Sequence, residues 1–279
     1  MRILQIGKFY PPPYGGIETV VATLVHELRH DVETDLVVAN DKRRGEMIER
    51  DGYRVYKLPR LLQLAGTPIC PTMPLLVRRL FRRSRHQLVH LHFPNPMAHL
   101  AAWVLPRDVP VVISWHSDIA RQRRLLRLYQ PSLRHLLARA AAVVAATPKS
   151  FSSSSQLDGC VDACRRFVVP YGLDTSRFSV HGRWQGSTER LRRRWPGKSL
   201  VFSIGRHVRY KGFEYLVRAM AGVDSAVLLL GGTGPLTSEL KAAAHTAGVQ
   251  NRVEFLGSVP EQELPLYYAA ADVFCLPSV

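Results

Sequence analysis

Three short stretches place groups that could hold an anion or polarise a hydroxyl at the ends of β-rich runs. Gly15 and Gly16, in KFYPPPYGGIE, stand just before a helical pattern. Backbone N–H groups and the helix dipole suit an anion there, although a tight turn needing glycine fits the same residues. His116, in Ser114-Trp115-His116-Ser117-Asp118, follows a strand pattern. It could donate to a substrate hydroxyl or a phosphate, or be a satisfied structural histidine. The third stretch, Gly205-Arg206-His207-Val208-Arg209-Tyr210-Lys211-Gly212, sets two cations around a loop that enters a helix. A guanidinium and an ammonium so placed can hold a diphosphate and stabilise its charge as it leaves; solvated loop cations are the plainer reading. GGTGP (231–235) adds a glycine-rich turn but lacks the Lys-Ser/Thr of a Walker loop, and the Gly15–Gly16 spacing is not G-x-G-x-x-G. NTP hydrolysis and a standard dinucleotide site are therefore not indicated.

Three other clusters resemble metal sites. His26-Glu27-Leu28-Arg29-His30 matches H-E-x-x-H. The apolar stripe through Val20, Leu24 and Leu28 lies on the other side of that helix, so both histidines are expected to face solvent, without the shaped cavity a hydrolytic zinc needs. Cys160 and Cys164 have no second pair nearby to complete a zinc site. His90, His92 and His116 could be imagined as ligands, but a polar cleft wall is the simpler assignment. No metal site is expected.

The elements that must position these groups alternate between strand and helix. Strand patterns run over 2–7, 34–40, 53–59, 88–93, 109–117, 141–147 and 166–172, with helical patterns between several of them. Such alternation means βαβ units and a mostly parallel sheet. Residues 173–198, with three glycines, Pro196 and a basic cluster, look like a linker. The pattern then restarts with strands at 199–205, 226–232, 253–259 and 272–279. The expected architecture is α/β, two Rossmann-like domains facing a cleft: 1–172, a linker at 173–198, and an incomplete second domain at 199–279. In open parallel sheets ligands bind beyond the carboxyl ends of the strands, where all three stretches fall.

The chain has 279 residues, 46% hydrophobic and 22% charged, which excludes disorder, collagen and coiled coil. No run approaches the roughly 18–20 apolar residues of a membrane-spanning helix. The start reads as a strand rather than a signal peptide. Four cysteines are too few for a disulfide scaffold, and reduced thiols in a cytoplasmic protein are expected. The net charge is +16; between Arg78 and Arg139, Asp108 and Asp118 alone oppose 12 arginines. Such a field attracts an anionic partner. PLLVRRLFRR and RQRRLLRLYQPSLRHLLARA mix leucine with arginine at helical spacing, either a solvated face or a surface resting on anionic lipid. Without a stripe of stacking aromatics or a recognised motif, nucleic acid is not expected.

In order along the chain, YPPPYGGIE, SWHSD, VVPYGLD, IGRHVRYKGFEYLVRAM and ADVFCLPSV resemble the retaining, GT-B-fold glycosyltransferases of family 4 type that use nucleotide sugars. Within that family the chain is most similar to bacterial mannosyl- and rhamnosyltransferases of lipopolysaccharide and capsule assembly. The resemblance implies that Gly15 and Gly16 lie near the donor phosphates and reacting centre, and that His116 contacts the donor sugar. It implies that Arg206 and Lys211 clamp the diphosphate and that Val259 and Glu261 sit near the nucleoside. It further implies a GDP- or UDP-linked donor, transfer with retention and without a metal or other cofactor, and a sugar on a lipid carrier as acceptor. The expected location is the cytoplasm, peripheral at the inner face of the membrane through the basic helices. The family's final strand leads into a Glu-(seven residues)-Glu segment, and the chain stops at Val279, where it should begin. The expectation is therefore a truncated product with impaired activity. The alternative is a nonenzymatic, membrane-associated binding fragment.

Overall fold

Strands that are apolar along their whole length need a sheet covered on both faces. In the structure, a computed structural model, residues 1–11, 15–64, 66–119, 123–179 and 184–279 are described. Pro12, Pro13 and Tyr14 of the glycine motif and Arg121 of the second basic stretch lie outside them. The chain divides into two compact units, Met1–Gly172 and Leu173–Val279.

The first unit contains β1 (Arg2–Ile6), α1 (Gly16–Glu27), β2 (Glu33–Ala39), β3 (Glu46–Arg50), β4 (Tyr53–Leu58), β5 (Leu62–Leu64), β6 (Thr67–Ile69) and α2 (Met73–Ser84). These are followed by β7 (Leu88–Phe93), α3 (Pro96–Trp103), β8 (Val111–Trp115), α4 (Arg123–Arg139), β9 (Ala142–Ala145), α5 (Pro148–Ser152) and β10 (Arg166–Val168). Eight strands form one sheet in the order β10-β9-β8-β7-β1-β2-β4-β3. Every pair is parallel except β3–β4, which the Asp51–Gly52 turn closes as a hairpin.

Side chains alternate across a strand, and here the two faces differ in chemistry. Leu4, Ile6, Val89, Leu91, Val111, Ile113 and Val143 face a core shared with Val77 and Leu80 of α2, Ala101 of α3, and Leu133 and Leu137 of α4. On the opposite face Val21 and Val25 of α1 cover Leu36, Val38 and Val55. The buried side of α1 is thus one residue out from the expected stripe: Val20 and Leu24 line a cavity instead. Beside that covered patch, β1, β7 and β8 present Gln5, His90, His92 and Ser114. At the amino ends of the strands, buried Asp35 meets His86 Nε2 at 2.8 Å and Arg54 Nε at 2.9 Å. Burial opposes the Asp35 carboxylate, but the bonds and charges of His86 and Arg54 outweigh it and hold its pKa below the usual range.

The second unit contains α6 (Gln185–Arg192), β11 (Ser199–Ile204), α7 (Phe213–Ala219), β12 (Ala226–Gly231), α8 (Thr237–Thr246), β13 (Val253–Gly257), α9 (Leu264–Ala270) and β14 (Val273–Phe274). Its parallel sheet runs β13-β12-β11-β14. Phe213, Val217, Leu240 and Ala244 pack on Leu228 and Leu230. On the other face Leu191, Trp195, Leu264 and Ala270 pack on Leu200, Phe202, Val227 and Leu229. The segment read as a linker therefore supplies a packed helix, α6. Arg192 fastens it by donating to the Ala270 carbonyl at 2.6 Å and to Asp272 at 2.9 Å. Val273 and Phe274 of the edge strand β14 are exposed.

Burial pulls His90, His99 and His116 down to about 4 and His92 well below its ordinary value, with neighbouring histidines adding to the effect for His90, His92 and His99. Unfolded, these imidazoles take up protons near pH 6.5, whereas the folded chain resists doing so until about pH 4. Their contribution to stability is complete above pH 6.5 and is lost as pH falls towards 4. Urea unfolding at pH 7 and pH 5 should show stability lower at pH 5 by about 2 kcal/mol or more. Equal midpoints would contradict neutral burial of the cluster.

Candidate active site

A histidine placed just beyond a parallel strand is held by the strand beside it. The His116 N–H donates to the Phe93 carbonyl at 3.1 Å, extending the β7–β8 register past Trp115. Asp118 secures the next turn, accepting from Trp115 Nε1 at 3.0 Å and from Ser154 Oγ at 2.6 Å. The His116 ring cannot swing freely either. Its Nε2 meets His92 Nδ1 at 3.2 Å, and its Nδ1 meets the Tyr171 hydroxyl at 2.6 Å. His92 Nε2 in turn meets Gln5 Oε1 at 3.0 Å, and His90 Nε2 meets Ser114 Oγ at 2.8 Å. The rings follow in series: His90 is tilted against His92 at 4.4 Å, and stacking continues from His92 to His116 at 5.5 Å and from His116 to Tyr171 at 5.8 Å.

This row borders a cavity of about 410 Å³. Val20 and Leu24 of α1, Val144, Val169 and Trp115 give it apolar walls, while His90, His116, Tyr171 and Glu27 add polar groups. An apolar hollow with a few convergent polar groups is the usual form of a small-molecule site. Of the two histidines expected to form a polar wall, His90 lines the cavity, whereas His92 is buried and bonded to Gln5; the partners Gln5 and Tyr171 are not among the sequence-predicted residues. The one signal for them was an H-x-H on a single strand face.

Gly15 and Gly16 open α1, with Gly15 as its extended N-cap. Neither has a positive φ, so no turn forces glycine here. A side chain at Gly15 would collide with the Glu18 carboxylate, which folds back over the helix start. A methyl at Gly16 would meet nothing within 4 Å, and the residue is exposed.

In the second unit the three strand ends converge. Gly232, at φ +105°, lies so close to the Gly205 carbonyl that a Cβ would collide with it, and a Cβ on Gly234 would lie 2.5 Å from the His207 carbonyl. Glycine is required for this approach of two loops. His207, fully buried, locks them: its N–H donates to the Thr233 carbonyl at 3.0 Å, and Nδ1 meets Thr237 Oγ1 at 2.9 Å. Arg206 is exposed, and Lys211 runs across Gly205. Among the described residues neither forms an ion pair. Val259 packs near Gly231 at the carboxyl end of β12, and Glu261 follows it on the surface. The structure therefore groups Arg206, Lys211 and Val259 at one sheet end of the second unit, and His116 with the cavity in the first.

His26 and His30 are exposed. Among the described residues no three His, Cys, Asp or Glu side chains stand close enough to share a metal ion, and no helix is long and apolar enough to cross a membrane.

Residues 14–177 match the pattern described as Glycosyltransferase Family 4, and residues 188–279 that of Glycosyl transferases group 1. The O-antigen chain mannosyltransferase C of Escherichia coli is 30% identical over 286 residues, covering 100% of this chain and 73% of the relative. The D-rhamnosyltransferase WbpZ of Pseudomonas aeruginosa is 32% identical over 279 residues, covering 96% and 70%. The solved structure of Anabaena Alr3699/HepE in complex with UDP-glucose is 19% identical, with a TM-score of 0.73 over 100% of this chain and 74% of that one. That likeness gives the fold, α/β of GT-B class. With both halves matched in order and relatives aligned over nearly its whole length, the chain belongs to the glycosyltransferases of family 4 type.

Proposed function

We propose that the chain transfers a hexose of mannose or rhamnose type from a GDP- or UDP-linked donor to a lipid-linked or polysaccharide acceptor, with retention, in cell-surface polysaccharide assembly. The observation that carries this reading is the pair Arg206 and Lys211, two cations without an ion-pair partner among the described residues, set on loops whose backbones are locked by Gly232 and Gly234. The names of the two relatives support the sugar type. In the reaction the bond from the anomeric carbon to the β-phosphate oxygen breaks and the acceptor hydroxyl oxygen bonds that carbon. The hydroxyl proton leaves with the released nucleoside diphosphate. Arg206 and Lys211 would neutralise that diphosphate in place of a metal ion, Val259 and Glu261 would border the nucleoside, and His116 would contact the sugar.

Calorimetric titration of GDP, UDP, GDP-mannose and UDP-glucose tests the assignment. Arg206→Ala and Lys211→Ala should each weaken binding of the preferred nucleotide by about ten- to a hundredfold, the loss of a charge-assisted hydrogen bond. Unchanged affinities would remove the diphosphate site from this loop.

Gly16→Ala separates ligand approach from folding. The residue already has helical geometry with open space at its Cβ, so alanine should leave stability unchanged or raise it by about 0.4–1 kcal/mol. Donor binding or turnover should nevertheless fall by about tenfold or more if a substrate approaches this backbone. Equal binding with raised stability would assign Gly16 no part in the site.

A second reading, peripheral attachment to the inner face of the membrane, has its own observation. On α2, Arg78, Arg79, Arg82 and Arg83 are exposed around Leu75, which is 71% exposed. That combination of charge and an apolar tip suits anionic lipid. The chain should sediment with phosphatidylcholine vesicles containing phosphatidylglycerol and not with phosphatidylcholine alone, and Arg78→Glu with Arg82→Glu should abolish this. Sedimentation without sugar transfer from either donor would favour the nonenzymatic alternative.

A further inference from the structure

A neutral imidazole is satisfied when one ring nitrogen meets an acceptor and the other a donor. In the row Gln5–His92–His116–Tyr171 each choice fixes the next. Gln5 Oε1 can only accept, so at 3.0 Å it places the His92 proton on Nε2. His92 Nδ1 is then an acceptor, and at 3.2 Å it takes the proton of His116 Nε2. His116 Nδ1 is left as an acceptor, and the Tyr171 hydroxyl donates to it at 2.6 Å. The row is anchored at its interior end, where Gln5 is 0% and His92 1% exposed, while Tyr171 is 49% exposed and lines the cavity. Turning the Gln5 amide over would reverse every donor and acceptor in the row, so the direction of the chain has a measurable consequence at His116.

We infer that Gln5 and His92 are positioning residues for His116, holding it as the Nε2–H tautomer so that Nδ1 is offered to the cavity as an acceptor, and that the Tyr171 hydroxyl stands where a sugar hydroxyl of the substrate donates. This rests on the reading of His116 as a contact to the donor sugar. It makes the site selective for a hydroxyl that can donate at that point. Binding then exchanges one O–H donor for another, and the imidazole keeps its proton throughout. Tyr171 is exposed enough to yield its place, whereas the two residues behind His116 are not.

Histidine ¹⁵N–¹H correlation spectra of the full chain read the protonated nitrogen directly, alongside titration of GDP-mannose and UDP-glucose. In the native chain His116 should carry its proton on Nε2; a proton on Nδ1 overturns the inference. Gln5→Met removes the buried acceptor at similar size and should relax His116 to a mixture of tautomers, with donor binding weakened by about tenfold. An unmoved tautomer in a folded Gln5→Met chain, or a mixed tautomer with native affinity, also overturns it. Tyr171→Phe alters an exposed group and should keep the Nε2–H tautomer, because the buried pair sets it; a switch to Nδ1–H would assign that role to Tyr171 and overturn the inference. His116→Ala judges the underlying reading separately. If it leaves affinity for both donors unchanged, His116 is no sugar contact, and the tautomer spectra still decide the roles of Gln5 and His92.

Discussion

The bond from His116 Nε2 to His92 Nδ1 joins the sheet interior of the first unit to its cavity. An imidazole buried beside another imidazole cannot readily take a proton, because the charge would lose its hydration, and a second proton in the row would also face a like charge. Neutrality then forces a fixed alternation of donors and acceptors. That alternation requires Gln5 on β1, His92 on β7 and His116 beyond β8 to step diagonally across one sheet face, each two positions past its neighbour's partner, which the pairing of Gln5 with His90 and of His92 with Ser114 supplies. The polar row is affordable only because the opposite face of the same strands is apolar throughout and packed by α2, α3 and α4.

In the second unit two cations, Arg206 and Lys211, stand at one sheet end without an acidic partner among the described residues. Several arginines of that unit have acidic partners: Arg192 with Asp272, Arg194 with Glu254, Arg218 with Glu214, Arg252 with Asp224. Among the described residues Arg206 and Lys211 have no such partner. The loops that bear them are fixed by backbone hydrogen bonds and by the His207–Thr237 contact rather than by ion pairs. Holding loops by neutral bonds leaves their charges available for an anion.

Much of this was legible in the sequence. The alternation of apolar runs and helical patterns located the parallel strands, closely for LVHLHF as β7 but overrunning β10 and β14, which span only Arg166–Val168 and Val273–Phe274, and GRHVRYKG marked a strand end bearing cations. What escaped had identifiable causes. β3, Glu-Met-Ile-Glu-Arg, is an exposed edge strand with no apolar period, although Asp51–Gly52 was a hairpin signal beside it. α6 hid inside a basic, glycine-bearing segment because its apolar contacts, Leu191 and Trp195, are sparse. The α1 face was misjudged by one residue because Val20, Val21, Leu24 and Val25 all are apolar; two serve the core and two the cavity. The partnership of Gln5, His92 and Tyr171 spans more than 160 positions and depends on strand order, which no local spacing encodes.

Glu18 bears on which part of a donor could meet the start of α1. Its carboxylate folds over Gly15 in the first turn, where its charge faces the positive end of the helix dipole without a capping hydrogen bond. A phosphate brought to the same place would face that carboxylate. At about 4 Å the repulsion is about 1 kcal/mol per charge pair in water and about 4 kcal/mol near a protein surface. The helix dipole returns about 0.3–1 kcal/mol, too little to offset the larger figure. A sugar hydroxyl has no such difficulty and can donate to the carboxylate. The balance at this helix start therefore disfavours a phosphate beside Gly15 and suits a neutral hydroxyl there.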